Sequence, residues 1–194
     1  LFVRIGPWAR DEYRCLRCAS IPRQRALFAV LDAYFPTWRT MWIHESSPSG
    51  APLRRLRAEC GAYLPTQYFP GVPPGSLHEG FRCEDLARQT FEDESFDLVI
   101  TQDVMEHLLE PVQSLREISR TLTSGGSHVF TVPWYYWKCT KVRARLGAHG
   151  IEHLDEPDYH INPVDEAGAL VVTEWGRDLC DTIFASCGMT TTVH

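Results

Sequence analysis

The chain has 194 residues, 44% of them hydrophobic, a formal net charge of −6 and seven scattered cysteines. That size suits one core and so a single domain over residues 1–194, while the negative charge weighs against sequence-independent binding to nucleic acid or an anionic membrane. No apolar run nears the roughly 18 residues of a membrane span and the N-terminal LFVRIGPWARDEYRC lacks an apolar signal core, so a cytoplasmic, non-membrane protein with reduced thiols is expected.

Taken in chain order, the first feature is Cys15-x-x-Cys18, half of a zinc-ribbon spacing. It is a weak metal candidate, and two ordinary thiols in a turn remain the plainer alternative. From Ile21 to Phe35, Ala26, Leu27, Val30, Leu31 and Tyr34 fall at helical spacing, which predicts an amphipathic helix ended by Pro36. Arg23 and Arg25 give that helix a basic face. Thr40 to His44 reads as a short buried strand, followed by the turn Glu45-Ser46-Ser47-Pro48-Ser49-Gly50 and a basic helix ending at Gly61. A very short second strand and an irregular loop rich in proline and glycine are expected next, then a third strand in FRCEDL.

The strongest local signal is SFDLVITQDVMEHL. Phe96, Leu98, Val99 and Ile100 are too apolar for a half-exposed strand and fit a parallel strand covered on both faces. Glu110 and Pro111 then open a helix carrying Val112, Leu115, Ile118 and Leu122, expected to stop at Gly125-Gly126, and SHVFTVP supplies another buried strand. Strand and helix in alternation predict an α/β fold: a Rossmann-like, doubly wound, mostly parallel sheet flanked by helices. Beyond Pro133 the pattern turns to aromatics, histidines and prolines before regularity returns in ALVVTEW and in a helix over RDLCDTIFASCGM. The expected organisation is one domain with an N-terminal cap over about 1–38 and a substrate-side insertion over about 134–168.

In an open parallel sheet, ligands bind beyond the carboxyl ends of the strands. The residues in those positions carry a family resemblance. Asp85-Leu86, the lead-in Phe91 to Asp97, the turn Asp103 to His107 and the helix Glu117 to Gly126 resemble the central half of a class I S-adenosylmethionine-dependent methyltransferase, of the type 11-like domain. The resemblance implies the class I methyltransferase fold, S-adenosyl-L-methionine as cofactor and S-adenosyl-L-homocysteine as product. It implies further that Asp85 accepts from the adenine amino group and Leu86 offers its backbone N–H to the ring. Glu45 would lie near the methionine ammonium, with Ser46, Ser47, Ser49 and Gly50 on the methionine side. Gln102, Asp103, Val104 and His107 would line the adenosine side.

Two departures from the family pattern stand out. Serines occupy glycine positions in the turn after the first strand, and because serine does not adopt positive φ freely, a different backbone path is expected. At the end of the second strand Gln67 and Tyr68 stand where the family places an acid on the ribose, and a neutral Gln67 binds a hydroxyl more weakly than a carboxylate would.

Trp134, Tyr135, Tyr136 and Trp137, with Tyr159, are the candidate substrate residues, since aromatic faces suit a sulfonium cation or a flat or sugar-like acceptor. A roof over the core is their structural alternative. His107, His153 and His160 are the candidate bases. The function expected is methyl transfer to an oxygen or nitrogen of a small-molecule or sugar-containing acceptor, with no nucleic-acid or membrane partner. The alternatives are a non-catalytic S-adenosylmethionine- or partner-binding module and, less favoured because G-x-G-x-x-G is missing, a nicotinamide-dependent oxidoreductase.

Overall fold

The computed structural model describes residues 1–7, 10–162 and 165–194, with the side chains of 161, 162 and 165–167 left undescribed. A hairpin of β1 (Phe2–Arg4) and β2 (Tyr13–Cys15) leads to α1 (Pro22–Tyr34), whose first turn Pro22 favours because it lacks the N–H that would be orphaned there. The repeating unit follows: β3 (Trp42–Ser46), α2 (Gly50–Glu59), β4 (Ala62–Gln67), the short pair β5 (Leu77–His78) and β6 (Phe81–Cys83), β7 (Phe96–Gln102), α3 (Pro111–Thr121) and β8 (Leu122–Thr131). The later part is built of short strands, β9 (Trp134–Tyr135), β10 (Lys141–Val142), β11 (Ala144–Gly147), β12 (Gly150–His153), β13 (Tyr159–Asn162), β14 (Asp165–Leu170) and β15 (Thr173–Gly176), and closes with α4 (Leu179–Cys187).

The main sheet has the order β5-β6-β4-β3-β7-β8, parallel throughout except for β5. The chain winds outward from β3 to β6 on one side and from β7 to β8 on the other. The order therefore reverses between β3 and β7, which opens a crevice at their carboxyl ends. Helices cover both faces. On one, Ile43, Leu98 and Ile100 pack against Leu27 and Leu31 of α1 and Leu56 of α2. On the other, Val99 packs with Ile118 of α3, and Met105 and Leu115 pack with Trp175, Leu179 and Ile183 of the C-terminal segment. This is the doubly wound, mostly parallel α/β fold that the strand–helix alternation predicts.

Several boundaries differ from expectation for local reasons. The buried stripe of α1 is Gln24, Leu27, Phe28 and Leu31, whereas Tyr34 is exposed and lies outside it. The second strand, β4, runs six residues because it pairs with β3 over its first five positions. Helix α3 ends at Thr121, before Gly125-Gly126, since Leu122 already pairs with Phe96 at the start of β8. The two glycines instead sit in the irregularity of that ladder, where a Cβ on Gly126 would stand 2.9 Å from the Thr123 carbonyl oxygen. Among the described residues no helix is long and apolar enough to cross a membrane.

Candidate functional site

The carboxyl ends of the parallel strands form one wall of a cleft of about 1740 Å³. After β3 the chain turns through Ser47, which takes a left-handed φ of +53° and donates its N–H to the Thr66 carbonyl at 2.9 Å. The expectation that serine would force another path is therefore corrected: the bond to β4 compensates for a conformation costing on the order of 1 kcal/mol or more. Ser49 is the N-cap of α2 but makes no side-chain cap bond. Ser46, Ser47 and Ser49 face the cleft, while Gly50, also at positive φ, lies behind the wall against Gln24.

Glu45 does not face the cleft. Its side chain is fully buried, with Tyr63 Oη donating to Oε2 and Gln102 Nε2 donating to Oε1 at 2.8 Å. Burial raises its pKa to about 7 against the opposing effect of those two bonds. Gln102, held in this way, does line the cleft, as do Gln67 and Tyr68 at the end of β4.

After β6, Glu84 is buried and accepts from Arg82 Nε at 2.7 Å and from the Thr90 N–H at 2.9 Å. These bonds place the next two residues, Asp85 and Leu86, on the cleft wall. Asp85 accepts from the Ala87 N–H at 2.9 Å and from Arg88 Nη2 at 2.8 Å, so its carboxylate is oriented while its side chain stays partly exposed.

After β7, Asp103 takes a φ of +52° and donates its N–H to the Thr131 carbonyl at 2.9 Å. Its carboxylate receives Thr131 Oγ1 at 2.9 Å, lies 3.2 Å from Arg23 Nε and is bonded by Arg10. Asp103, Val104 and both arginines line the cleft, so the N-terminal hairpin region is tied to the sheet at its mouth. A single helical turn over Met105–His107 follows, anchored by the buried Met105.

This turn places Glu106 and His107 side by side. His107 Nδ1 is 2.8 Å from the Leu170 carbonyl oxygen; as a carbonyl only accepts, Nδ1 carries the proton and Nε2 the lone pair. His107 Nε2 lies 3.8 Å from Glu106 Oε1, and His160 Nδ1 from β13 lies 4.0 Å from the same oxygen. The two imidazoles meet edge to face at 5.1 Å. Burial and the neighbouring Asp103 charge raise the Glu106 pKa to about 8, and burial lowers that of His107. His107 and His160 thus share the cleft, whereas His153 sits on the exposed strand β12, paired with Ala144, away from it.

Beyond β8 the lining becomes aromatic. Trp134, Tyr135, Trp137 and Tyr159 contribute to it, with Trp134 fixed by donation from Nε1 to the Gly176 carbonyl at 2.8 Å. Tyr136 is 65% exposed and supports the cluster from outside through its ring contacts with Trp134 and Trp137. Cys15 and Cys18 are free thiols; among the described residues the one grouping of three or more potential metal ligands is Glu106, His107 and His160. The sequence pattern did not single out Glu106, nor the part played by Arg10. Its signal was present in the adjacency of Glu106 and His107 just beyond a buried strand.

The fold and cleft define a doubly wound α/β domain with its cleft at the topological switch point. Residues 71–130 match the profile of a family described as a methyltransferase domain. No curated protein sequence matches the chain. Among solved structures it is similar to an S-adenosylmethionine-dependent methyltransferase from Mesorhizobium loti, at 15% identity and a TM-score of 0.53, over 84% of this chain and 78% of that one. It is also similar to the [4+2]-cyclase SpnF, at 17% identity and a TM-score of 0.49, over 84% of this chain and 56% of that one. The chain spans about half the length of several solved structures that it matches. The fold is that of the class I S-adenosylmethionine-dependent methyltransferases, and the resemblance carried by residues 83–133 holds.

Proposed function

We propose that the domain binds S-adenosylmethionine in this cleft and directs its methyl group to an oxygen or nitrogen of a small-molecule or sugar-containing acceptor. The observation that carries the proposal is the convergence on one wall of Ser46–Ser49, Gln67-Tyr68, Asp85-Leu86 and Gln102–Val104, each at the end of a different parallel strand. The residues fit the donor. The turn Ser46–Ser49, which lines the cleft and leads into the N-terminus of α2, suits the donor's carboxylate through its hydroxyls and the positive end of the helix dipole. Asp85, oriented by Arg88 and the Ala87 N–H, keeps an accepting edge toward the cleft for an adenine amino group. Gln67 serves the ribose hydroxyls, and Glu45 acts indirectly by holding Gln102 in the wall.

S-adenosylmethionine supplies a methyl group already activated by the sulfonium charge. The chain's task is positioning in a site poor in water. Trp134, Tyr135 and Trp137 line the same cleft beyond β8 and offer flat faces to an acceptor. His107 Nε2, its lone pair fixed by the bond from Nδ1 to Leu170, and the half-exposed His160 stand at the same end and can receive the acceptor's proton.

Calorimetric titration with S-adenosylmethionine and S-adenosylhomocysteine tests this. Both should bind once per chain, and Asp85→Ala should weaken both by about tenfold or more with an unchanged circular dichroism spectrum. Absence of binding by the folded wild-type chain overturns the proposal. Binding without labelled-methyl transfer across sugars, phenols and amines would favour the binding-module alternative, for which the serine-substituted turn is the observation.

A further inference from the structure

We infer that Glu106, His107 and His160 form a site for one divalent transition-metal ion of the zinc or cobalt type, with open coordination positions facing the cleft. One oxygen or nitrogen from each side chain lies within 4.8 Å of the others. Two imidazoles and one carboxylate are the donor set of many catalytic zinc sites, and imidazole favours zinc, cobalt and iron over magnesium or calcium.

Three features separate this cluster from an ordinary polar corner. Glu106 is almost wholly buried, yet neither of its oxygens has a hydrogen-bond partner among the described residues. A buried carboxylate left in that state is costly, and a cation removes the cost. Next, His107 presents the correct tautomer: Nδ1–H is committed to the Leu170 carbonyl, leaving the Nε2 lone pair toward Glu106. Metal-bound histidines commonly have this second bond to a backbone carbonyl. Finally, separations of 3.8 and 4.0 Å are too long for direct hydrogen bonds but close to what a shared ion requires. An inward shift of a few tenths of an ångström brings all three atoms to about 2.0–2.2 Å from a common centre.

The nearby cationic groups do not oppose an ion strongly, because Arg10 and Arg23 are paired with Asp103 and Asp11. Asp103 is itself occupied by those partners and Thr131, so it is not counted as a ligand. The backbone on both sides is fixed: the Val172 N–H donates to the Glu106 carbonyl at 2.8 Å. His107 and His160 line the cleft, and Glu106 sits behind them. An ion held there would therefore meet a ligand entering from the cleft.

The consequence for the acceptor rests on the methyl-transfer proposal above. A hydroxyl oxygen in an open position would lose its proton more readily, so the site selects a hydroxyl-bearing acceptor over an amine. With the ion bound, the lone pairs of His107 and His160 are committed to it, so the ion replaces them in activating the acceptor: the oxygen–methyl carbon bond forms, the carbon–sulfur bond breaks, S-adenosylhomocysteine leaves and the hydroxyl proton passes to solvent.

Chelator-treated full chain titrated with Co²⁺, followed by visible absorption, and with Zn²⁺, followed by calorimetry, tests the site without donor or acceptor. One equivalent should bind. His160→Ala, at a half-exposed side chain that the fold does not need, and Glu106→Gln should each weaken binding by about tenfold or more, with the metal-free circular dichroism spectrum retained. Cys15→Ser/Cys18→Ser should leave binding unchanged. No saturable binding, binding that survives both Glu106→Gln and His160→Ala, or binding lost in the cysteine variant overturns the inference. Donor binding to the metal-free chain is measured separately: donor binding without metal binding defeats this inference alone, and metal binding without donor binding defeats the methyl-transfer proposal alone.

Discussion

The carboxyl end of β3 and the turn after β7 each contain a buried glutamate whose pKa burial has raised, yet the two residues are in opposite situations. Glu45 has a donor on each oxygen, Tyr63 on one and Gln102 on the other. Glu106, at the same end of the neighbouring strand, has none among the described residues. Burial and a raised pKa therefore do not by themselves mark a reactive group; the number of committed partners does. Glu45 holds the sheet end together and aims Gln102, whereas the Glu106 oxygens accept no hydrogen bond among the described residues.

The most severe way to break this contrast is Glu45→Ala. Truncation leaves the Tyr63 hydroxyl and the Gln102 amide as buried donors without an acceptor, at about 1–3 kcal/mol each. A loss of about 4 kcal/mol in denaturant unfolding is expected at pH 6. A change below 1 kcal/mol, on the order of an exposed substitution, would show that Glu45 is not committed as described.

Glu45→Gln gives the next largest effect and carries a pH signature. The folded pKa of Glu45 is raised to about 7 from an ordinary 4.5, so its contribution to stability is fully present below pH 4.5 and is lost as pH rises to 7. Glutamine does not titrate. The wild type should therefore exceed Glu45→Gln most at pH 4.5, with the gap narrowing by up to about 3 kcal/mol by pH 7. The buried His44 and His128, whose pKa values burial depresses to about 3, titrate in both proteins and cancel in the difference. A constant gap across this range, read from urea melts at each pH, would contradict the assignment of a buried, raised carboxyl.

Most of the sheet was legible in the sequence because its signals are local. The apolar run of β7 and the Asp85-Leu86 pair are each recognisable within a few residues. What was not legible depends on residues distant in the chain. Leu122 begins β8 because of Phe96, which the helical spacing of α3 cannot reveal. The stripe of α1 follows the surface presented by Ile43 and Leu98, not helical period alone. His107 and His160, 53 positions apart, meet through the hairpin of β13 and β14, and His153, equally plausible by composition, is carried away from them. The aromatic run read as a substrate wall divides in the same way: Trp134 and Trp137 face the cleft and Tyr136 faces out.

The smallest expected effect concerns the serine turn itself. Ser47 is held at positive φ by one backbone bond to Thr66. Glycine reaches this conformation without the Cβ penalty but loses more chain entropy on folding, so Ser47→Gly should stabilise by about 0.5–1 kcal/mol net. If the Ser47 hydroxyl contributes to the donor site, the same variant should weaken S-adenosylmethionine binding while raising the melting temperature. Were the turn merely a scaffold, stability would rise and affinity would not change. Loss of both stability and affinity would instead mean that the left-handed path is not the one the turn takes. The serine-for-glycine exchange thus separates backbone conformation from side-chain contact at one position, which no substitution at the buried Glu45 can do.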